Sequence, residues 1–286
     1  MTLQARAKIN LYLDILGRLP SGLHAVQTVL HSIELADDLE LELRRRGVSA
    51  ELLGADIPTD DRNLACRAAR LFFQFTGING GVHIRIMKRI PVGGGLGGGS
   101  ADAAAVLVGL NALCGTGYPK DALARMGSSI GADVPFCVVG GCASGEGVGN
   151  RLRPLPPLPK RPLLLINPGA QVHTGEAYAA LNAPLLDSFN LPPFPERVKI
   201  RNGWLHDPFK TGAARNGFEA SVFKRFPQIR EARGRLRSFG AAALMSGTGG
   251  TVFGVFKTEA QRDRALKALR SVYPFAEASA FWSPMR

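Results

Sequence analysis

The sequence has few cysteines, fewer acidic than basic residues and no long apolar run. Its four cysteines form no CxxC pair and lie among small or apolar neighbours, which predicts reduced thiols in or near the core of a cytoplasmic protein. The longest uncharged apolar stretch, residues 103–118, is shorter than the roughly 20 residues that a membrane span needs. Charged residues also interrupt the first apolar stretch, so we expect no N-terminal signal segment.

Length and composition indicate a globular protein with an unusual charge and glycine content. The 286 residues suffice for one large domain or about two smaller ones. The net charge is +12, from 35 basic and 23 acidic residues, and the 34 glycines make up about 12% of the chain where about 7% is usual. Positive charge indicates anionic partners, which include nucleic acid, membrane surfaces and phosphorylated small molecules. The densest basic cluster is residues 44–46, and the charge is not gathered in one tail.

Apolar periodicity predicts a mixture of strands and helices. Alternation of apolar and polar residues predicts half-buried strands over 7–15, 38–44 and 82–87, and apolar runs predict strands over 136–139, 163–166 and 251–256. Helices are predicted over 63–75, where Asn63 is the expected cap, and over 101–113, 120–130, 218–226, 228–239 and 261–273. Because strands and helices do not alternate regularly, the pattern favours an α+β fold. Five prolines within 151–162 mark the predicted boundary between a domain of residues 1–154 and one of residues 155–286.

The segment 91–100 holds six glycines in seven positions, interrupted only by Leu96. Glycine loses more backbone entropy on folding than any other residue, so this density at a strand-to-helix turn indicates backbone N–H groups that approach a ligand closely. A helix N-terminus offers free N–H donors and positive potential, which predicts a bound phosphate. Ser100 adds a hydroxyl for phosphate or for a magnesium ion. The alternative is a tight turn in which glycine only permits close packing.

The loop does not fit three common phosphate-binding patterns. Gly93, Gly95 and Gly98 formally match the dinucleotide fingerprint, but no acidic residue ends a second strand about 20 residues on. A Walker loop needs a lysine before Ser100, where Gly99 stands instead. The H-R-D and D-F-G motifs of protein kinases are absent from the sequence.

Three separated segments together resemble the GHMP kinase superfamily: residues 7–11 (AKINL), 91–104 (PVGGGLGGGSADAA) and 246–250 (SGTGG). The agreement extends from about residue 7 to about residue 256. Residues 131–135 (GADVP) and 146–149 (EGVG) are most similar to the branch that phosphorylates a cytidine diphosphate derivative on the non-mevalonate route to isoprenoid precursors. The resemblance implies a two-domain α+β kinase. Its N-terminal domain would be ribosomal-protein-S5-like, its C-terminal domain a ferredoxin-like α/β sandwich, and its active site would lie in the cleft between them.

The resemblance also implies catalytic roles for Lys8 and Asp133. Asp133 would be the base that activates the substrate hydroxyl, and Lys8 would orient that hydroxyl and keep Asp133 charged, as phosphoryl transfer requires. From the residues alone, a solvated position on the polar face of a strand is the better interpretation of Lys8, and a cap before Pro135 is as good an interpretation of Asp133 as catalysis. Asp102 is not placed in the catalytic set.

The resemblance further implies binding sites for ATP and for the cytidine substrate. The expected ATP-binding residues are Pro91, Gly93, Gly94, Gly95, Leu96, Gly97, Gly98, Gly99 and Ser100. The expected substrate-binding residues are Asn10, His24, Thr174, Tyr178, Gly247, Thr248 and Gly249, with His24 and Tyr178 at the base and the glycine turn lending backbone N–H groups to phosphates. Leu23 stands where some members have an aromatic residue. Magnesium is expected with ATP, and Ser100 is the one candidate ligand.

Two alternatives remain at this point. One is another GHMP kinase, acting on homoserine, mevalonate or a sugar. The other is a basic nucleic-acid-binding protein with an S5-like fold and no catalysis, which would bind RNA in a strongly salt-dependent way. Our preferred interpretation is a cytoplasmic small-molecule kinase, a monomer or weak homodimer, that binds neither nucleic acid nor membranes.

Overall fold

The computed structural model describes residues 1–55, 57–181, 183–186, 191–195, 198, 200–201, 204–205 and 207–284. Contacts divide the chain into two compact units. Unit 1 consists of Met1–Lys8, Leu35–Val92 and Gly97–Gly140, and unit 2 of Ile9–Glu34, Gly93–Leu96 and Gly141–Arg286. Both units mix strands with helices, which confirms the α+β class. None of the helices in the described ranges is long and apolar enough to cross a membrane.

The strands are β1 (Thr2–Arg18), β2 (His24–Arg44), β3 (Gly47–Leu53), β4 (Gly81–Met87), β5 (Cys142–Glu146), β6 (Arg151–Leu155), β7 (Pro162–Asn167), β8 (Ile200–Arg201), β9 (Trp204–Leu205), β10 (Arg215–Asn216), β11 (Ala242–Met245), β12 (Val252–Val255) and β13 (Phe275–Ala280). The helices are α1 (Leu64–Thr76), α2 (Gly98–Leu113), α3 (Lys120–Gly127), α4 (Val134–Val139), α5 (Thr174–Ala179), α6 (Glu219–Arg225), α7 (Pro227–Ser238) and α8 (Glu259–Leu269).

Unit 1 is a sheet in the order β1-β2-β4-β3 that packs against helices. Strands β2 and β4 run antiparallel, and β3 and β4 run parallel. Asn63 caps α1 as predicted, because its side chain accepts a hydrogen bond from the Ala65 N–H at 2.9 Å. Alanines on α1 and α2 let the two helices approach closely around Phe72, which is fully buried.

The predicted strand over 136–139 is wrong, since these residues belong to α4. A short apolar run does not distinguish a buried strand from a buried helix turn. Pro135 decides the outcome here, because it lies in the first turn of α4, where its fixed φ favours the helix and its missing N–H costs nothing.

Among the described residues, unit 2 contains three sets of paired strands and their helices. The first is formed by β1, β2, β5, β6 and β10, the second is antiparallel in the order β11-β12-β7-β13, and the third is the short antiparallel pair β8-β9. Helices α7 and α8 contribute Leu236 and Ala265 to one core cluster with Leu164 and Ile166 of β7, so both helices lie on one face of the second sheet. The strand predicted over 163–166 and the helices predicted over 218–226 and 228–239 are therefore confirmed.

The half-buried pattern predicted for β1 is wrong, because residues 7–13 are all buried and their polar side chains point into protein rather than solvent. The proline-rich segment 151–162 contains β6, and all of Gly141–Arg286 belongs to unit 2. The division at residues 1–154 and 155–286 stays a prediction. The four cysteines are free, and Cys66 and Cys142 are buried, as predicted.

Candidate active site

Unit 1 brings Lys8 and Asp133 together. Lys8 lies on β1 with only 4% of its side chain exposed, and its Nζ is 3.4 Å from a carboxylate oxygen of Asp133. The solvated alternative for Lys8 is therefore wrong. Asp133 occupies the N-cap position of α4 but makes no capping hydrogen bond, and its carboxylate faces Lys8 while remaining 38% exposed. A paired, accessible carboxylate can accept a proton from a bound hydroxyl.

The start of α2 lies against the stem of Lys8. Gly97 is the N-cap residue with φ of +72°, and a Cβ there would lie 3.0 Å from Lys8 Cγ. Glycine is thus required both by the backbone conformation and by the lysine side chain. The first N–H groups of a helix have no carbonyl within the helix to bond. Those of Gly98, Gly99 and Ser100 are therefore donors that a phosphate can use, next to Lys8.

The first half of the glycine segment, Gly93–Leu96, packs within unit 2 against the turn at residues 246–250. A Cβ on Gly95 would lie 2.2 Å from the carbonyl oxygen of Ser246. The Ser246 hydroxyl donates to the Gly95 carbonyl at 2.9 Å, and the Thr251 N–H donates to the Gly94 carbonyl at 3.1 Å. Leu96 is 1% exposed. The close-packing alternative therefore accounts for Gly95, whereas the helix start leaves donors for an anion.

The turn at residues 246–250 differs from expectation. The Gly247 N–H donates to Asn10 Oδ1 at 3.0 Å, and the Gly249 N–H donates to the Ser246 carbonyl at 3.0 Å. Both N–H groups therefore bond within the fold in this structure, and the expectation that the turn binds substrate phosphates stays a prediction. Asn10 is buried and its amide also donates to the Thr28 hydroxyl at 2.9 Å. Asn10 therefore holds the turn in place.

Asn216 completes the support of this turn, and sequence reasoning missed it. Its side-chain amide donates to the carbonyls of Met245 and Gly247, both at 2.8 Å, and its oxygen accepts from the Phe218 N–H. A single buried asparagine gives no pattern in the sequence. Thr248 is half-buried, with its hydroxyl 3.3 Å from that of the exposed Thr174, so these two predicted substrate residues lie together.

His24 and Tyr178 also lie together in unit 2. Their rings stack at 4.6 Å between centroids and 29° between planes, and Tyr178 contacts Phe218 edge to face at 4.8 Å. Burial, and then the nearby Arg18 charge, lower the pKa of His24, which favours a neutral ring. The two rings already touch, and their binding of a nucleobase stays a prediction. Leu23 is 57% exposed beside His24.

A buried ionic cluster was not predicted. Lys88 Nζ lies 2.5 Å from Asp37 Oδ2 and 2.7 Å from Asp102 Oδ2, and all three side chains are at least 95% buried. Burial, with the neighbouring Asp37 charge, outweighs the attraction of Lys88 and raises the pKa of Asp102 to about 7. Burial alone would lower the pKa of Lys88, but the two carboxylates raise it. The one signal for this cluster in the sequence is Asp102, the single aspartate within the alanine-rich residues 101–105.

The described residues do not form a protein-held metal site. No group of three histidine, cysteine or acidic side chains suited to a metal ion occurs among them. Ser100, the predicted magnesium ligand, is half-buried in the first turn of α2. Magnesium commonly keeps several waters and binds through substrate phosphates and one or two protein groups. This donor set therefore fits an ion that arrives with the nucleotide.

Comparison with known proteins agrees with this geometry. The model of the GHMP kinase N-terminal domain matches residues 63–141, and that of the GHMP kinase C-terminal domain matches residues 203–274. A 4-diphosphocytidyl-2-C-methyl-D-erythritol kinase of Solibacter usitatus is 39% identical over 269 residues, which cover 93% of this chain and 84% of the relative. The enzyme of the same name from Pelotomaculum thermopropionicum is 42% identical over 89% of this chain and 88% of its own.

Solved structures show the same relationship. A 4-(cytidine 5'-diphospho)-2C-methyl-D-erythritol kinase is similar at a TM-score of 0.81 and 35% identity, over 99% of this chain and 100% of its own. A homoserine kinase from Cytophaga hutchinsonii, at a TM-score of 0.69 and 16% identity over 98% and 94%, shares the fold. The chain belongs to the GHMP kinase family, and within it to the 4-diphosphocytidyl-2-C-methyl-D-erythritol kinases.

Proposed function

We propose that the protein transfers the γ-phosphoryl group of ATP to the 2-hydroxyl of 4-diphosphocytidyl-2-C-methyl-D-erythritol. The observation that carries the proposal is the juxtaposition in unit 1 of a buried lysine, its aspartate partner and the open start of a glycine-rich helix. Phosphoryl transfer needs a positioned hydroxyl, a proton acceptor and donors for the phosphates, and these three features supply them. The choice of acceptor is supported by the relatives and by the stacked pair His24 and Tyr178.

The proposed reaction assigns each residue one task. Asp133 accepts the proton of the substrate hydroxyl while the hydroxyl oxygen bonds to the γ-phosphorus of ATP. The bond between that phosphorus and the β–γ bridging oxygen breaks at the same time, which releases ADP. The ammonium of Lys8 faces the Asp133 carboxylate and stabilises charge on the transferring group. The N–H groups of Gly98, Gly99 and Ser100 bind phosphate oxygens at the positive end of α2. If magnesium is bound, Ser100 is the residue that would hold it, and the ion would supply positive charge beside the phosphates.

Both substrates are polyanions, so the net charge of +12 favours their approach. We further propose that the enzyme works in the cytoplasm as a monomer or weak homodimer and acts on small molecules alone. The four free thiols fit a reducing compartment.

The test is a panel of acceptors with purified protein, ATP and magnesium. We expect ADP release and a singly phosphorylated product with the cytidyl substrate, and none with mevalonate, homoserine or galactose. Release of ADP with mevalonate or homoserine, and none with the cytidyl substrate, would overturn the proposal. For substitution of the proposed base Asp133 by asparagine, the matched control is Asp121→Asn. Asp121 is an exposed acidic residue at the start of α3, so this variant should retain full activity.

A further inference from the structure

The cluster of Lys88, Asp37 and Asp102 has no task in the proposed reaction. Within unit 1 it nevertheless contacts the chain on both sides of the glycine segment, just before Pro91 and at the start of α2. Asp37 Oδ1 accepts hydrogen bonds from the Arg89 N–H at 2.6 Å and the Ile90 N–H at 2.8 Å. These residues lead directly into Pro91. Asp37 thus fixes the backbone where the chain enters the loop.

The other end of the cluster holds α2. Asp102 lies in the second turn of α2 and accepts from Lys88 Nζ, and a Cβ on Gly98 would lie 3.4 Å from that same nitrogen. The ammonium of Lys88 therefore sits directly below the first residue of the helix. Asp102 Oδ2 accepts the hydrogen bond from Lys88 Nζ, whereas the buried Oδ1 has no hydrogen-bond partner among the described residues.

Stability alone gives little reason for such a cluster. Removing two carboxylates and an ammonium from water costs several kcal/mol for each ion, and apolar residues of similar volume are often as stabilising. What charged hydrogen bonds supply and apolar packing does not is a fixed direction and distance. Here the fixed parts are the loop entrance and the start of α2.

We infer that Lys88, Asp37 and Asp102 are positioning residues that hold the first turn of α2 in register for the nucleotide phosphates. They touch no reacting atom and act through the backbone N–H groups of Gly98, Gly99 and Ser100. The inference rests on the proposed function in that it takes ATP as the ligand of this helix start.

The test compares two substitutions of Asp102. Asp102→Ala removes the link between α2 and Lys88, and we expect the Kd for a nonhydrolysable ATP analogue and the KM for ATP to rise about tenfold, since a hydrogen bond to a charged group contributes about that factor. Asp102→Asn keeps an acceptor for Lys88, so its nucleotide affinity should return to within about threefold of the wild type. The KM for the cytidyl substrate should change less than twofold in both variants.

A matched control separates positioning from general loss of stability. Asp207→Asn weakens the partly buried ion pair with Arg161 in unit 2, so it should lower the melting temperature without changing the Kd for the nucleotide. Wild-type affinity in Asp102→Ala, or an equal rise in the KM of both substrates, overturns the inference. If Asp102→Ala fails to fold, Lys88→Arg serves in its place: a longer cation should shift α2 and weaken nucleotide binding, and unchanged binding overturns the inference.

Failure of the proposed function gives a different result. Binding of the ATP analogue is measured without any acceptor, so the comparison of variants stands even if the cytidyl compound is not phosphorylated. Conversely, an active wild type whose nucleotide affinity is unaffected by Asp102→Ala refutes the positioning role alone.

Discussion

The packing of Gly95 against the turn at residues 246–250 predicts a large effect for Gly95→Ala. The residue has φ of +74°, and the new Cβ would lie 2.2 Å from the Ser246 carbonyl oxygen and 2.9 Å from that of Gly249. Ordinary contact begins near 3.4 Å, so the two segments must separate by about 1 Å. The contacting atoms are backbone, which cannot rotate away as a flexible side chain would.

The expected cost follows from three contributions. An alanine with this left-handed φ costs about 1 kcal/mol more than glycine. A separation of about 1 Å breaks the bond from the Ser246 hydroxyl to Gly95 and the bond from the Thr251 N–H to Gly94, each worth about 1 kcal/mol. The free energy of unfolding should therefore fall by about 3 kcal/mol.

Gly240→Ala is the matched control. Gly240 also has a left-handed φ, of +83°, but a Cβ there would meet nothing within 4 Å. Its substitution should cost only the conformational term of about 1 kcal/mol. Urea titrations of both variants and the wild type give the comparison. Equal destabilisation by the two substitutions would falsify the claim that close packing of the two segments requires glycine at position 95.

Three further results are expected. Asp133→Asn should lower kcat by about 10² to 10⁴, because an amide accepts no proton from the hydroxyl, and steady-state ADP release measures it; loss below threefold would contradict the role of base. Burial lowers the pKa of the His31 ring to about 4, so between pH 6.5 and 4 only the unfolded chain takes up a proton, and the free energy of unfolding should fall by about 3 kcal/mol over that range. His31→Gln should remove this contribution, which urea titrations at pH 5 and 7 measure. An unchanged dependence on pH would refute the assignment to His31. Burial raises the pKa of the Asp102 carboxyl to about 7, so between pH 4 and 7 this carboxyl binds a proton in the folded chain but not in the unfolded chain. The wild type therefore loses stability as pH rises through that range, and the Asp102→Asn variant should gain stability relative to it. A stability difference between the two proteins that does not change with pH would exclude this titration of Asp102.

Local patterns predicted the elements whose signal lies within one stretch of chain. Asn63 marked the start of α1 because its side chain caps the helix from two residues away. The strand predicted over 136–139 is wrong, because Pro135 and burial, and not apolar content, determine that these residues form a helix. The strand predicted over 7–15 is confirmed by β1, but its half-buried pattern is wrong for a related reason. Alternation shows which face is polar, but not whether other parts of the chain bury that face.

The parts of the candidate site that lie in sequence motifs could be predicted. The single residues outside those motifs that hold the site in place could not. Lys8 and Asp133 are 125 positions apart, and only the family resemblance joined them before the structure placed their charged groups 3.4 Å apart. Asn216, Lys88 and Asp37 hold the loops in place, but each is a single polar residue whose partner lies elsewhere in the sequence. Contacts of this kind leave no period or spacing to detect.

The glycines of the loop serve different physical needs, although the sequence shows them as one run. Gly95 allows two backbone segments to pack within unit 2, and Gly97 makes room for the stem of Lys8 in unit 1. A Cβ on Gly99 would meet only Leu64, at an ordinary 3.5 Å, so packing does not demand glycine there. If Gly99 is retained for function, the reason lies in access to its N–H group. Gly99→Ala should then weaken nucleotide binding with little loss of stability, whereas Gly95→Ala should destabilise the fold itself.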